Sequence, residues 1–409
     1  MKYKVTKADK SLTGTVELEG SKSITNRVLI VKALCNEYFD LQRFSQSEDS
    51  LTLIELLNSS EKILYAKDGG TTFRFLLPFL AIHEGEVILT GSERLIDRPT
   101  GPLVEALNSL GAKIQYLGKP GFPPVLINGT TLKGNKVDID VSMSSQFLSG
   151  LLLIAPYLQN GLIIRLKGRV VSAPYIQLTL DIMKFFGITY DWTQNLITIS
   201  HQEYSARDYR VEGDWSAASY YYQMAALSDE VDLKIMNLNR ISSQGDSVIS
   251  KIMDAFGVKT TYIENGIHLT KTDRKPHTFD YDFTACPDLA QTIIATCAAL
   301  EIPSTYTGIS TLQYKETNRM SAMANELAKI DITLSPKEEV WKLSPEKNKT
   351  GKKSPVFDTY NDHRMALSLA PLAIVNKSVI IEDPFVVRKS YPTFWNNIQK
   401  LGFKVEEIS

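Results

Sequence analysis

One pattern returns six times along this 409-residue chain. An apolar helix opens on a polar or charged residue, a short strand follows, and a second, amphipathic helix comes next. The openings fall at Lys22, Gly70, Ser145, Asp214, Asp288 and Asp362. The apolar bodies are VLIVKAL, FLLPFLA, FLSGLLLIAPYL, YYYQMAAL, TIIATCAAL and MALSLAPLAI, and the strand-like runs are YFDLQRF, EVILTG, LIIRLKG, VDLKIMN, STYTGI and SVIIED. The second helices close on a shared phrase, LGAKI, FGITY, FGVKT and LGFKV, with KIDIT as a weaker fifth copy. Most openings lie about seventy residues apart, which is longer than solenoid periods and points to repeated small subdomains. Helix N-termini carry partial positive charge and free N–H groups. Six such ends brought together would make a place for anions.

The first helix of each repeat is apolar nearly all round, as expected of a helix buried inside its subdomain. The second is one-sided. Val248, Ile252 and Phe256 line one face, as do Met320, Met323, Leu327 and Ile330, and again Phe394, Ile398 and Leu401. Gly111, Gly187, Gly257 and Gly402 follow these helices as C-caps. Between Gly118 and Gly134 the Gly and Pro content predicts loops joining short strands. The chain is too long for one simple core. Three repeats precede residue 213 and three follow it, so an α/β (α+β) two-domain fold is expected. Its N-terminal domain covers 20–213, and its C-terminal domain covers 1–19 with 214–409. In the first repeat LTLIELLNSS runs almost directly into the next, which predicts a shortened repeat with no full hairpin between Ser59 and Lys67.

Hydrophobic content of 43% and charged content of 22% are those of a globular protein. The longest apolar run, Phe147 to Leu158, is too short for a bilayer and contains Pro156. MKYKVTKADK has no signal-peptide apolar stretch, so a cytoplasmic location is expected and the sequons at Asn128 and Asn348 carry no meaning. Cys35, Cys286 and Cys297 lack metal-ligand spacing and read as small buried residues in a reducing compartment. A net charge of −1 offers no global basic field for nucleic acid. The run Lys347 to Lys353, set among Pro, Ser, Asn and Gly, reads as a solvated loop.

The polar residues gather at the repeat openings and in the loops before the second helices. GSKSITNR holds Lys22, Ser23 and Arg27; DGGTTFR holds Gly70, Thr71 and Arg74; SMSSQF holds Ser144, Ser145 and Gln146. CPDLAQ holds Asp288, and YNDHRM holds Arg364. Loops add Arg98 in IDRPTG, Ser172 and Tyr175 in VSAPY, Lys315, Glu316 and Arg319 in YKETNR, and Lys389 in VRKSYP. Eight of these are Lys or Arg, a grouping suited to phosphate and carboxylate ligands. Each piece alone has an ordinary reading. GSKS lacks the GxxxxGK[ST] of a nucleotide loop, Ser144 to Gln146 form an N-cap, Asp288 is common chemistry at a helix start, and His363 is a packed histidine. Equivalent placement in repeated units sets the group apart.

On these residues the chain resembles the 5-enolpyruvylshikimate-3-phosphate synthase family, the 3-phosphoshikimate 1-carboxyvinyltransferases. GSKSITNR, DRPTGPLVEAL, SMSSQFLSGLL, VVSAPYIQLTL, VEGDWSAASYY, YKETNRMSAMANEL, YNDHRMALSLA and KSYPTFW occur in the family's order, nearly end to end. The resemblance implies two inside-out α/β barrel domains of three βαβαββ repeats each, which close over the substrates. It implies transfer of the enolpyruvyl group of phosphoenolpyruvate to the 5-hydroxyl of 3-phosphoshikimate, with release of phosphate, on the shikimate route to chorismate and the aromatic amino acids. The reaction is an addition followed by an elimination. No metal or organic cofactor, no nucleic acid and no membrane is implied, and a monomer is expected.

The resemblance also assigns residues. Lys22, Ser23, Arg27, Ser144, Ser145, Gln146, Ser172, Asp288 and Lys315 would contact 3-phosphoshikimate, with Tyr175 packed nearby. Lys22, Gly70, Arg98, Gln146, Arg319, Arg364 and Lys389 would hold phosphoenolpyruvate. Asp288 would take the hydroxyl proton and Glu316 would protonate the methylene carbon, with Lys22 also in the catalytic group. Four features depart from the family. Asp68 stands in place of the usual Asn, Thr311 where some relatives have Asn, and Asn318 where Asp is common; the fourth is the short first repeat.

Two rival readings use the same architecture. A UDP-N-acetylglucosamine enolpyruvyl transferase would carry a reactive Cys in the loop here written GSERLIDRP and a Lys-Asn pair in place of Lys22-Ser23. A non-catalytic repeat ring binding nucleic acid would need basic residues spread along an inner surface. An RNA-end cyclase, more distant, would need a nucleotide-transfer histidine motif.

Overall fold

The structure, a computed structural model, describes residues 1–337, 340–345 and 354–408. The run Lys347 to Lys353 and the sequon at Asn348 lie outside the described residues.

Among the described residues six inner helices start at or within two residues of the expected openings: α1 (Lys22–Leu34), α2 (Gly70–Ala81), α3 (Ser145–Ile154), α4 (Trp215–Leu227), α5 (Ala290–Leu300) and α6 (His363–Leu369). Side chains set several of these starts. Ser144 accepts a hydrogen bond from the Gln146 N–H, Asp214 from Ala217 and Asp362 from Arg364, each satisfying a donor the helix cannot. Before α5 the chain first makes a 3-10 turn, Pro287–Leu289, which carries Asp288. In α3 the helix gives way at Pro156 to a 3-10 turn, Ala155–Tyr157, because proline lacks the N–H that would continue the ladder.

The chain divides into two compact lobes, residues 20–211 and residues 1–19 with 212–409. Glu212 and Gly213 thus fall with the second lobe, two residues earlier than the expected boundary. Gly213 N–H is bonded to the Asn237 carbonyl, and the Glu212 carboxylate accepts from Ser242 and Gln244. Those bonds tie the pair to the lobe that follows.

Within each lobe the three inner helices touch one another, α1, α2 and α3 in the first and α4, α5 and α6 in the second. Helix α4 is buried at every position except Ser216. Its polar atoms are met internally. Tyr221 shares a hydrogen bond with Tyr391, Tyr222 with Thr260, and Gln223 donates to the Ser368 carbonyl, so burial of the tyrosine rings is not offset by stranded hydroxyls. Helices α2 and α3 meet closely because Gly150 has no side chain. A Cβ there would stand 2.7 Å from the Arg74 carbonyl oxygen and 3.0 Å from Pro78.

Five repeats carry a four-stranded sheet of one design. Two parallel strands flank an inner helix in sequence, and two antiparallel strands extend the sheet on one side, as a hairpin in four of the five and as Lys2–Lys7 with Phe403–Ile408 in the other. In the second repeat Ile63–Tyr65 runs parallel to Gly85–Thr90, which pairs antiparallel with Val125–Gly129 and through it with Lys113–Tyr116. The first repeat has only the two-stranded pair Leu41–Gln42 and Tyr209–Arg210. Its hairpin is missing, and Ile63–Tyr65 already belongs to the next sheet. Residues 1–19 complete two sheets of the second lobe. Lys2–Lys7 pairs with Val379–Glu382 and Phe403–Ile408, and Ser11–Glu17 runs parallel to Glu230–Met236.

The repeated phrase after each second helix has one conformational meaning. Gly111, Gly187, Gly257 and Gly402 have φ of 103°, 93°, 77° and 85°, and in the fifth copy Asp331 takes the same left-handed region at 61°. Glycine reaches it without steric cost and Asp tolerates it, which is why KIDIT is the divergent copy. Cys286 and Cys297 are buried as expected, whereas Cys35 is only half-buried, its thiol facing the Tyr204 carbonyl. No helix among the described residues is long and apolar enough to cross a membrane.

Candidate active site

In the first lobe the polar residues named from sequence collect at the openings of α1, α2 and α3 and around the helix Ala173–Phe185. Arg27 lies within α1, 2% exposed. Its guanidinium donates to Thr179 Oγ1 (2.7 Å), Ser23 O (2.8 Å), Ser149 Oγ (3.2 Å) and Tyr175 O (3.3 Å), and stacks 5.3 Å from the Phe75 ring. Burial pulls its pKa down to about 10, leaving it charged at neutral pH. Arg27 therefore orders Ser23 and Tyr175 through their carbonyls. Ser172, which precedes that helix, is buried and holds a left-handed backbone (φ 56°), an unfavourable conformation of the kind found at functional sites.

Gln146 is clamped. Its Oε1 accepts from Arg74 (2.7 Å) and its amide donates to Thr71 (2.8 Å), while Arg74 also reaches the Pro99 carbonyl. Ser144 and Ser145 start α3 beside it, with Ser145 buried. Gly70 opens α2 against Arg98, where a Cβ would stand 2.4 Å from Nη1. The guanidinium can lie there only because the residue is glycine. Asp68 accepts from Ser92 Oγ, and Ser92 in turn accepts from the Leu95 N–H and caps the short turn Glu93–Ile96 that leads to Arg98. The carboxylate departure at Asp68 is thus held by a hydroxyl. Lys22 Nζ pairs with Asp49 Oδ2 at 3.0 Å, the amine keeping 17% exposure.

In the second lobe Arg319 is the centre. It is 1% exposed and donates through Nε to Asp362 (2.8 Å), through Nη1 to Asp288 (3.0 Å) and through Nη2 to Glu316 (2.8 Å). Arg364 Nη2 meets the other oxygen of Asp288 at 3.1 Å, and its Nη1 reaches Tyr220 and the Asp288 carbonyl. Lys389 Nζ stands 3.7 Å from Glu316. Exposure separates the three acids. Asp362 has none, whereas Asp288 keeps 18% and Glu316 11%, so only the last two can meet a ligand.

Burial by itself would push Asp288 up, but Arg364, Lys315 and Arg319 together outweigh it and hold the carboxyl far below its ordinary range. For Arg319, burial opposes the charge while Asp362, Glu316 and Asp288 restore it and raise its pKa. The turn that delivers Asp362 and Arg364 has two consecutive left-handed residues, Tyr360 (φ 50°) and Asn361 (φ 52°). It is pinned by the Tyr360 hydroxyl and the Asp358 N–H, which both donate to buried Glu326.

Asn318 caps the helix Arg319–Ala328 by accepting from Ser321, a place where Asn and Asp serve equally. Thr311 is buried in the 3-10 turn Ser310–Tyr314, and His363 is buried beside Asp362. Sequence reading passed over Asp49, because an acid in the first turn of a helix is ordinary. It also left Asp362 as a mere helix opening and did not register Asp246. The YNDHRM phrase marks Asp362 as the cap of α6, and nothing near it marks Arg319 as its cation.

The model of the family described as EPSP synthase (3-phosphoshikimate 1-carboxyvinyltransferase) matches residues 55–398. A protein of Bacteroides fragilis named 3-phosphoshikimate 1-carboxyvinyltransferase is 41% identical over 400 residues, covering 98% of each chain. One of the same name from Shewanella amazonensis is 34% identical over 420 residues, covering 96% of this chain and 97% of its own. The fold matches the solved EPSP synthase of Acinetobacter baumannii with a TM-score of 0.78 at 20% identity, covering 99% of this chain and 100% of that one. It also matches the enolpyruvyl transferase NikO of Streptomyces tendae with a TM-score of 0.77 at 14% identity, covering 99% and 98%. The chain belongs to the EPSP synthase (3-phosphoshikimate 1-carboxyvinyltransferase) family.

Proposed function

We infer that this chain transfers the enolpyruvyl group of phosphoenolpyruvate to the 5-hydroxyl of 3-phosphoshikimate and releases phosphate, a step of aromatic amino acid biosynthesis. Family membership carries the reaction. The observation that carries the residue roles is the linked set Arg319, Asp288, Glu316, Arg364 and Lys389, in which two partly exposed carboxylates stand among three cations.

In this reading 3-phosphoshikimate is held by Lys22, Ser23, Arg27, Ser144, Ser145, Gln146, Ser172, Tyr175, Asp288 and Lys315. Phosphoenolpyruvate is held by Lys22, Gly70, Arg98, Gln146, Arg319, Arg364 and Lys389. Asp288 accepts the hydroxyl proton as the oxygen bonds to the enol carbon. Glu316 gives a proton to the methylene carbon, and the addition product then loses phosphate and a methyl proton. A carboxylate held as low as Asp288 is a poor base. The bound anions correct this. Once substrate phosphate and carboxylate draw on Arg364, Lys315 and Arg319, the charges that depress Asp288 are partly neutralised and its proton affinity rises. The protein works in the cytoplasm as a monomer in this reading.

Phosphate release from phosphoenolpyruvate, followed with and without 3-phosphoshikimate, tests the reaction. Release that depends on both compounds is expected, and release supported by UDP-N-acetylglucosamine instead would overturn it. Asp288→Asn and Glu316→Gln are expected to fold as the parent does and to lose about 10²–10⁴-fold in turnover. Near-parental turnover in both would remove the acid–base roles.

A further inference from the structure

Asp246 is used by none of the roles above, yet its setting is rare for a carboxyl group. It lies in the 3-10 turn Gly245–Val248, 2% exposed, against the start of α4. Ser216 Oγ donates to Oδ2. Oδ1 is buried and has no hydrogen-bond partner among the described residues. A carboxylate offers about four acceptor sites, and a full charge on a buried group with one oxygen given no donor by the described residues is strongly disfavoured.

The groups around it decide its charge. Asp288, from the turn before α5, and Asp214, from the cap of α4, repel a negative Asp246. Tyr281, in the strand Phe279–Asp282, and Cys286, in the turn after it, hold their own protons more tightly chiefly through burial, with the charge of an ionised Asp246 adding to it. Arg364 of α6 is the cation that favours its ionised form, and Arg364 is already bonded to Asp288 at 3.1 Å. Burial, the largest influence, together with Asp288 pushes Asp246 up to about 7.

We propose that Asp246 is a positioning residue for the reaction, a proton-bearing carboxyl that leaves Asp288 as the one negative member of their pair and so sets how readily Asp288 takes the substrate hydroxyl proton. The inference rests on Asp288 being the base. Asp246 keeps its own proton through the step; the hydroxyl proton goes to Asp288 and nothing else changes hands between them. When Asp246 ionises, its charge repels Asp288 and competes for Arg364, so the proton affinity of the base changes with the state of its neighbour.

Two measurements test this. Carboxyl infrared spectra of the whole protein at pH 6 should show a protonated-acid C=O band that Asp246→Asn removes. An unchanged spectrum in that variant overturns the proposal. This readout needs no turnover, so it stands even if the enzyme reaction assigned above were wrong. The pH profile of kcat should carry an inflection near pH 7 that is absent in Asp246→Asn and moved upward in Ser216→Ala, which lacks the hydrogen bond favouring the ionised form. An inflection retained unmoved in Asp246→Asn overturns the role, even if the infrared band has gone.

Discussion

Arg27 and Arg319 are buried to the same degree, 2% and 1% exposed, and they solve that burial in opposite ways. The partners of Arg27 are all neutral, two hydroxyls and two carbonyls with an aromatic face behind, and burial lowers its pKa to about 10. Arg319 is held by three carboxylates, and its pKa rises. One cation keeps its charge uncompensated and adds a standing positive potential to its lobe. The other is more than neutralised, and could take an anion only by exchanging partners. Preorganised attraction and ligand-driven exchange are different ways for a cation to meet an anion, and Arg27 and Arg319 are built for one each.

Removing each arginine should expose the difference. Arg319→Met takes a shared cation from three buried or half-buried carboxylates and is expected to cost about 3–5 kcal/mol of stability, with turnover lost. The loss should depend on pH. In the parent, the depressed Asp288 contributes stability that is complete above its unfolded value of about 4 and declines as pH falls through its lower folded value. In the variant Asp362 loses its ion pair and Asp288 and Glu316 keep only Arg364 and Lys389 of the cations named above, so these acids take up protons more readily when folded and are relieved by acid. The gap in melting temperature between the two should therefore narrow as pH falls toward about 4. A gap that stays constant would mean the carboxylates find other cations.

Arg27→Met should cost less, about 2–3 kcal/mol, the price of leaving Thr179, Ser149 and the Ser23 and Tyr175 carbonyls short of donors. No acid is released, so this loss should be flat between pH 4 and about 8. A steep pH dependence in Arg27→Met would break the contrast. Parallel thermal melts of the two variants across that range settle both expectations.

The inner helices were legible because their signals are local. Asp214 and Asp362 each precede an apolar run and act as caps, and the glycine phrase marks each second-helix end with a left-handed residue. What escaped was long-range. Nothing near Lys2–Lys7 announces that it completes a sheet with Val379–Glu382 and Phe403–Ile408. Asp49 and Asp362 find their cations 27 and 43 residues away. A pairing across such distances has no local period to betray it. For Arg27 the apolar helix around it already implied deep burial. Asp246 escaped because a turn residue after Gly is usually solvated, and only the tertiary structure closes α4 over it.

Gly70→Ala tests preorganisation in the first lobe on a smaller scale. The added methyl would stand 2.4 Å from Arg98 Nη1, so the guanidinium must move, while the backbone at Gly70 is already helical and stability should change by less than about 1 kcal/mol. We expect KM for phosphoenolpyruvate to rise about tenfold, equivalent to about 1.4 kcal/mol, with KM for 3-phosphoshikimate nearly unchanged. Equal increases in both would mean that the disturbance spreads through α2 rather than through Arg98.

The smallest effect is expected at Asn318→Asp in the second lobe, which restores the residue common in the family. Asn318 accepts from the Ser321 N–H and starts the helix that carries Arg319. Asp would accept the same bond, and its charge would suit the helix N-terminus, so stability should shift by no more than about 0.5 kcal/mol. The added charge enters a cluster already rich in acids, whose cations are committed to Asp288, Glu316 and Asp362. If binding in this lobe proceeds by partner exchange, one more exposed carboxylate at the rim changes the exchange little, and KM for phosphoenolpyruvate should stay within about twofold, or 0.4 kcal/mol. A several-fold rise in KM with unchanged melting would show that this lobe also attracts its ligand through a standing potential, and the division between Arg27 and Arg319 would then describe their burial but not their binding.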